Sequence, residues 1–160
     1  MPPIPGLLAS DPLTNESVFD LSEKPESLAI LGAGAIGCEL AQVFARLGVR
    51  VELFELATRV LPNESELASA TVAQALTQAG VRIHTGHAVR EIKDGGQVVT
   101  DQGNIECERV LVALGRQPNT DGMKLADAKV EVDQRGFIVT DNKLRTTNKK
   151  IFAAGDCAAA

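Results

Sequence analysis

The sequence contains no tryptophan and no tyrosine, and only 5 phenylalanines among 160 residues. Binding of single-stranded nucleic acid needs aromatic platforms on which bases stack, so this scarcity argues against that function. A net charge of -5 argues likewise against a polyphosphate backbone as partner. No apolar run approaches the roughly 20 residues that span a bilayer, and prolines follow Met1 where a signal peptide would carry charge and then apolar residues. The expectation is therefore no nucleic acid, no membrane and a cytoplasmic setting. Three cysteines, Cys38, Cys107 and Cys157, lie far apart and match no zinc or C-x-x-C spacing, which suits small core residues. The two histidines, His84 and His87, lack further ligands for a metal. The final Cys157-Ala158-Ala159-Ala160 fits a prenylation box only formally.

What the chain does have is aliphatic. Hydrophobic residues make up 44% of it, and with so few aromatics the core must be built from Ala, Val, Leu and Ile. That composition suits a parallel sheet covered by helices, and the length suits one good core or a domain with an appendage.

The central stretch is Ser27-Leu28-Ala29-Ile30-Leu31-Gly32-Ala33-Gly34-Ala35-Ile36-Gly37-Cys38-Glu39. An apolar run stops at a glycine cluster and resumes with helical spacing, the layout of a strand, a tight turn and a helix. Gly32 can make the turn, Gly34 lets the backbone approach a pyrophosphate, and Gly37 lets the helix pack closely. The free N–H groups at Ala35, Ile36 and the rest of the first turn would attract the anion. A dinucleotide fold of this kind also needs an acidic residue at the end of the second strand, about 20 residues on. Glu55 stands there. Its carboxylate can accept both ribose hydroxyls and would repel a 2′-phosphate, so NAD is expected in preference to NADP. Arg59 is the nearest cation that could favour NADP. Glu55 as a plain strand-end carboxylate remains the alternative.

Along the chain, residues 1–26 are proline-rich and read as an extended lead-in, with one short segment expected around Ser17-Val18-Phe19-Asp20. Strands are expected at 28–31, 50–55 and 81–84, with helices at 35–47 and 65–79, each followed by a glycine. Short strands at 88–93, 97–100 and 105–108 with glycine-rich turns predict an antiparallel three-stranded meander. The wholly apolar 110–114 predicts a buried parallel strand. The expected fold class is thus α/β: a Rossmann-like βαβαβ parallel sheet in which a meander replaces the last helical crossover. The expected organisation is a lead-in at 1–26, an NAD(P)-binding domain at 27–118, and a returning segment at 119–160.

Several ordered motifs together resemble the FAD-dependent pyridine nucleotide–disulfide oxidoreductases, nearest to their dihydrolipoamide dehydrogenase and mercuric reductase branches. They are Gly32 to Ala41, Glu55 with Arg59-Val60-Leu61-Pro62, and Ala113-Leu114-Gly115-Arg116-Gln117-Pro118-Asn119-Thr120. Arg145-Thr146-Thr147 and Ile151-Phe152-Ala153-Ala154-Gly155-Asp156-Cys157 complete the set. The resemblance implies that Glu39 lies near the nicotinamide and the flavin, although the residue also fits the polar face of the first helix. It implies that Gly115 sits beside the nicotinamide, where a side chain would block the ring. It implies that Asp156 hydrogen-bonds the ribityl chain of FAD, a turn aspartate being the alternative. Arg116, Pro118 and Asn119 match the turn that leads back to a flavin domain.

The family's other parts are not in this sequence: a second glycine fingerprint for FAD, a C-x4-C redox pair, and a dimerisation domain with a His-Glu pair. The resemblance therefore implies the middle of a larger, homodimeric flavoprotein, whose missing FAD and dimerisation domains are this segment's partners. The parent would pass a hydride between nicotinamide and FAD, and electrons on to a disulfide. The segment alone would bind dinucleotide and turn nothing over, with no catalytic residue of its own. The strands at 137–140 and 151–154 would lack their usual partners, so they are expected to pack on the nucleotide domain, to pair between protomers or to stay disordered. The alternatives are a domain of an NADH oxidase or ferredoxin-reductase-like flavoprotein, and a non-catalytic nucleotide-sensing module. A methyltransferase would leave Gly115 to Asn119 and Gly155-Asp156 unexplained.

Overall fold

The computed structural model describes residues 1–115 and 117–158. It divides into two compact units, Met1–Leu114 and Gly115–Ala160.

The first unit is built on a four-stranded parallel sheet. Its strands are β1 (Ser27–Leu31), β2 (Arg50–Glu55), β3 (Arg82–Thr85) and β7 (Arg109–Val112), in the order β3-β2-β1-β7. Every residue of β1 is buried, as expected of a central strand covered on both faces. The two faces are covered differently. Leu28, Ile30, Val51, Leu53 and Leu111 join Cys38, Ala41, Phe44 and Leu76 from the helices α1 (Ala35–Arg46) and α2 (Glu66–Gln78). On the opposite face, Ala29, Leu31, Phe54 and Val110 join Leu7 from the lead-in with Ile92, Val98 and Cys107.

Ile92 and Val98 come from the meander of β4 (Val89–Lys93), β5 (Gln97–Thr100) and β6 (Gly103–Glu106), an antiparallel sheet in that order, and Cys107 directly follows it. The meander therefore does on this face what a crossover helix would do, burying the second side of the parallel sheet. The α/β class with its inserted meander is as the sequence predicts. The last meander strand begins two residues before the expected 105, because Gly103 at φ +140 can already pair with Thr100. Cys107 then leaves the strand for the core, and β7 ends at Val112, short of the expected 114.

Residues 1–26 are less extended than their prolines suggest. Residues 5–10 form consecutive turns, and the short segment expected around Ser17 to Asp20 is a 3-10 helix, Ser17–Asp20. Three apolar anchors hold them: Leu7 is fully buried, Val18 is buried in the helix-side core, and Leu13 bridges β7 by donating to Val110 O at 2.7 Å and accepting from Val112 N–H at 2.9 Å.

The second unit closes on itself. Val130, Ile138 and Ala153 form a small core, with isolated bridges Val132↔Ile138, Ile138↔Ala158 and Arg145↔Phe152 where two full strands were expected. Turns interrupt the pairing: Asp133 and Asp141 each accept two following backbone N–H groups and bend the chain. None of the three fates expected for 137–140 and 151–154 includes this self-contained core.

Candidate functional site: a glycine turn and an acidic strand end

The turn after β1 is assembled by contacts only glycine permits. Gly32 has φ +103, and its N–H donates to Phe54 O at 2.8 Å, which continues the β1–β2 pairing into the turn. A Cβ on Gly37 would lie 1.9 Å from Gly32 O, so the first helical turn rests directly on the glycine turn. Gly34 differs: a Cβ there would meet nothing within 4 Å. The glycines at 32 and 37 thus close the turn, and the one at 34 leaves its outer side open.

The open side faces the start of α1. Gly34 is the N-cap and offers no side-chain acceptor to the first N–H groups. In α2, by contrast, Ser65 Oγ accepts from the Ala68 N–H at 3.2 Å. The helix that begins with Ala35 and Ile36 therefore keeps the positive end of its dipole without a side-chain cap and without an acidic residue in its first turn. Glu39, one turn further on, is exposed.

Glu55 ends β2 beside this turn. Its Oε2 accepts from the Ala33 N–H at 2.8 Å and its Oε1 from the Ala57 N–H at 3.0 Å, so the carboxylate is fixed at the mouth of the glycine loop. Ala33 O in turn accepts from the Leu61 N–H at 2.8 Å and the Cys38 thiol at 3.4 Å. These hydrogen bonds tie the loop together from within. Arg59 is committed elsewhere: its guanidinium donates to the carbonyls of Leu61, Pro62 and Glu64 at 3.2, 2.7 and 2.8 Å.

The structure thus gathers Gly32, Gly34, Ala35, Ile36, Gly37, Glu39 and Glu55 at the carboxyl edge of the sheet, where β1 lies between β2 and β7 and the strand order reverses. Gly115 and Asp156 belong to the second unit. Gly115 has φ +67, a left-handed conformation that by itself favours glycine. Asp156 lies in the turn that follows Gly155. Arg116, Ala159 and Ala160 lie outside the described residues.

Two features escaped the sequence reading. One is an apolar cavity of about 180 Å³ beside Glu55 and Gly32, lined by Phe54, Leu56, His87, Ala88 and Val89 among others. It forms because Gly86 N–H donates to Ala57 O at 2.8 Å and His87 N–H to Glu55 O at 3.3 Å, drawing the β3–β4 connection across the end of β2. Its position after a parallel strand was the available signal.

The other feature is Glu52. It is a carboxylate inside β2, yet it is only 1% exposed. Arg82, its register partner on β3, pairs with it, as do Arg50 Nη1 at 3.3 Å and His84 Nε2 at 2.8 Å. Burial, with Glu52 nearby, pushes the Cys107 thiol up to about 11. Burial, with Glu55 and Glu39, does the same to Cys38, also to about 11. Both thiols stay protonated at neutral pH, and the Cys38 Sγ–H serves as a donor to the loop.

The family model for pyridine nucleotide-disulphide oxidoreductases matches residues 1–160. The chain is 38% identical over 162 residues to a mercuric reductase of Bacillus cereus, covering 97% of this chain and 26% of that protein. It is 40% identical over 147 residues to a dihydrolipoyl dehydrogenase of Chlamydia muridarum, covering 90% and 32%. Among solved structures, the HOCl-induced flavoprotein disulfide reductase RclA from Escherichia coli superposes with a TM-score of 0.88 at 34% identity, over 98% of this chain and 37% of that one. The chain therefore spans about a third of the length of these relatives. It belongs to the pyridine nucleotide-disulphide oxidoreductase family, whose members are flavoprotein oxidoreductases.

Proposed function

We propose that this chain is the NAD(H)-binding module of a flavoprotein oxidoreductase. The parent would pass a hydride between nicotinamide and FAD and electrons onward to a disulfide, as the family resemblance implies. The observation that carries the reading is the pairing of an uncapped helix start with a fixed carboxylate at the end of β2. The N–H groups at Ala35, Ile36 and Gly37 suit a pyrophosphate, which gains from both the donors and the dipole. The space over Gly34 suits its close approach. Glu55 suits the two ribose hydroxyls, and the apolar cavity next to it suits a flat ring.

NAD(H) is favoured over NADP(H) on two grounds. Glu55 is acceptor-only when ionised and repels a phosphate. Arg59, the cation that could offset it, is held by three carbonyls. Gly115 and Glu39 would serve the nicotinamide end, and Asp156 the ribityl chain of FAD. The nicotinamide and flavin supply the redox chemistry, and the residues here bind and orient.

The test is a fluorescence titration of the chain with NADH and NADPH, repeated for Glu55→Ala. NADH should bind more tightly than NADPH, and the variant should lose about tenfold in NADH affinity while gaining relative affinity for NADPH, a loss of about 1.4 kcal/mol. Tighter NADPH binding by the unmutated chain would overturn the ribose assignment. Disulfide reduction by this chain alone would contradict its role as a binding module.

A further inference from the structure

The nucleotide reading leaves Arg59 and Leu61 without a role, and the structure ties both to the glycine turn. Leu61 has φ +48, a left-handed conformation that a bulky aliphatic residue rarely adopts and that persists only where its surroundings hold it. Those surroundings are specific. Arg59 Nη1 donates to Leu61 O at 3.2 Å, and Nη2 donates to Pro62 O at 2.7 Å and Glu64 O at 2.8 Å. The planar fork thus collects three carbonyls of one turn, a geometry that a lysine ammonium does not reproduce. The Glu64 N–H closes the same turn on Leu61 O at 2.9 Å. On the α2 side, Val60 is buried and its O accepts from the Ser69 hydroxyl at 2.6 Å.

Held in this way, Leu61 reaches the turn that follows β1. Its N–H donates to Ala33 O at 2.8 Å, and the Cys38 thiol donates to the same oxygen at 3.4 Å. That carbonyl belongs to the Ala33–Gly34 peptide. No cis peptide bond occurs among the described residues, and in a trans peptide the N–H points opposite to the C=O. Fixing Ala33 O against Leu61 and Cys38 therefore turns the Gly34 N–H the other way, at a residue where a Cβ would meet nothing within 4 Å. The Gly34 N–H has no protein acceptor among the described residues. Gly34 is also the N-cap of α1, so its N–H extends the set of donors that the helix start offers to a diphosphate.

We propose that Arg59 is a positioning residue of the nucleotide site: by holding Leu61 in its left-handed conformation, it orients the Ala33–Gly34 peptide and aims the Gly34 N–H at the diphosphate. The inference rests on the nucleotide reading above, and the experiment separates the two. Dissociation constants for NADH are measured by fluorescence on the whole chain, with urea unfolding to show that each variant is folded. The native chain is compared with Arg59→Lys and Arg59→Gln, and Arg59→Lys is repeated in a chain that carries Leu61→Gly. Arg59→Lys keeps the charge and loses the fork, and it decides alone if Arg59→Gln does not fold. Leu61→Asn, another residue that tolerates the left-handed region, replaces Leu61→Gly if that chain does not fold. Both replacements of Arg59 should weaken NADH binding about tenfold, a loss of about 1.4 kcal/mol. Glycine adopts the left-handed conformation without being held. Arg59→Lys should therefore cost about twofold or less where Leu61 is already replaced, a coupling that independent sites would not show. An arginine that only stabilises the fold would cost the same in both backgrounds. Equal losses in the two backgrounds, or native affinity in Arg59→Lys, overturn the role of Arg59 while NADH still binds the native chain. Absence of NADH binding by the native chain overturns the nucleotide reading itself.

Discussion

At the scale of single residues, burial and local donors set the chemistry. Cys38 and Cys107 are buried and their thiols are pushed up to about 11, whereas Cys157 is partly exposed. Iodoacetamide near pH 8 should therefore alkylate Cys157 in the native chain well before the other two, as read by peptide mass mapping; equal labelling of all three would contradict the burial. Asp141 gives a second prediction. Hydrogen bonds from the Arg145 and Lys143 N–H groups and the Arg145 side chain hold its carboxyl down to about 2 from an ordinary 3.8. A depressed folded-state value contributes stability that is present above the ordinary one and is lost as the pH falls through the folded one. The turn at 141–145 should hence stay intact at pH 4 and loosen only as the pH approaches about 2. Carboxyl carbon shifts followed by NMR test this, and a midpoint at the ordinary value would refute it.

At the scale of elements, the contacts of the glycine turn decide what can be changed. A Cβ on Gly37 cannot fit 1.9 Å from Gly32 O without moving α1 away from the turn. Gly37→Ala should lower stability by about 1–3 kcal/mol, the usual cost of overpacking, and weaken NADH binding together with it. Chemical denaturation measures the first effect, and a variant as stable as the parent would show that the helix start is not packed as described. Ser65→Ala, which removes the side-chain cap of α2, should cost about 1 kcal/mol in the same measurement.

These elements could largely be read from residues. The apolar run of β1, the glycines after each helix and the glycine-rich meander turns are local signals with local causes. Glu55 was found for the same reason, because its distance from the turn follows from the length of one βαβ repeat. Glu52 was not singled out, since nothing in a strand's own residues says what will cover each of its sides. Here the meander, Arg50, Arg82 and His84 cover it. The cavity was missed because Leu56 and Val89, distant in sequence, meet only through the hydrogen bonds of Gly86 and His87.

At the scale of the whole molecule, two units with separate cores suggest separate behaviour. Met1–Leu114 carries the parallel sheet and both larger clusters, and the second unit holds a core of three buried residues. Leu111→Ala, at a fully buried position in the first unit, should cost about 2–5 kcal/mol by cavity formation. It should lower the main unfolding transition, and amide exchange in the second unit should change little. The proposed boundary between a nucleotide domain and a returning flavin-domain segment predicts that separation.

The central claim is that the turn at Gly32–Gly37 and Glu55 receive a dinucleotide. The most direct measurement is an amide chemical-shift titration of the isotopically labelled chain with NADH. The account predicts the largest shifts at Ala33, Gly34, Ala35, Ile36 and Ala57, with a second group at His87 to Val89 along the cavity. Saturable NADH binding that leaves these amides unmoved, or that shifts only residues of the second unit, would contradict it.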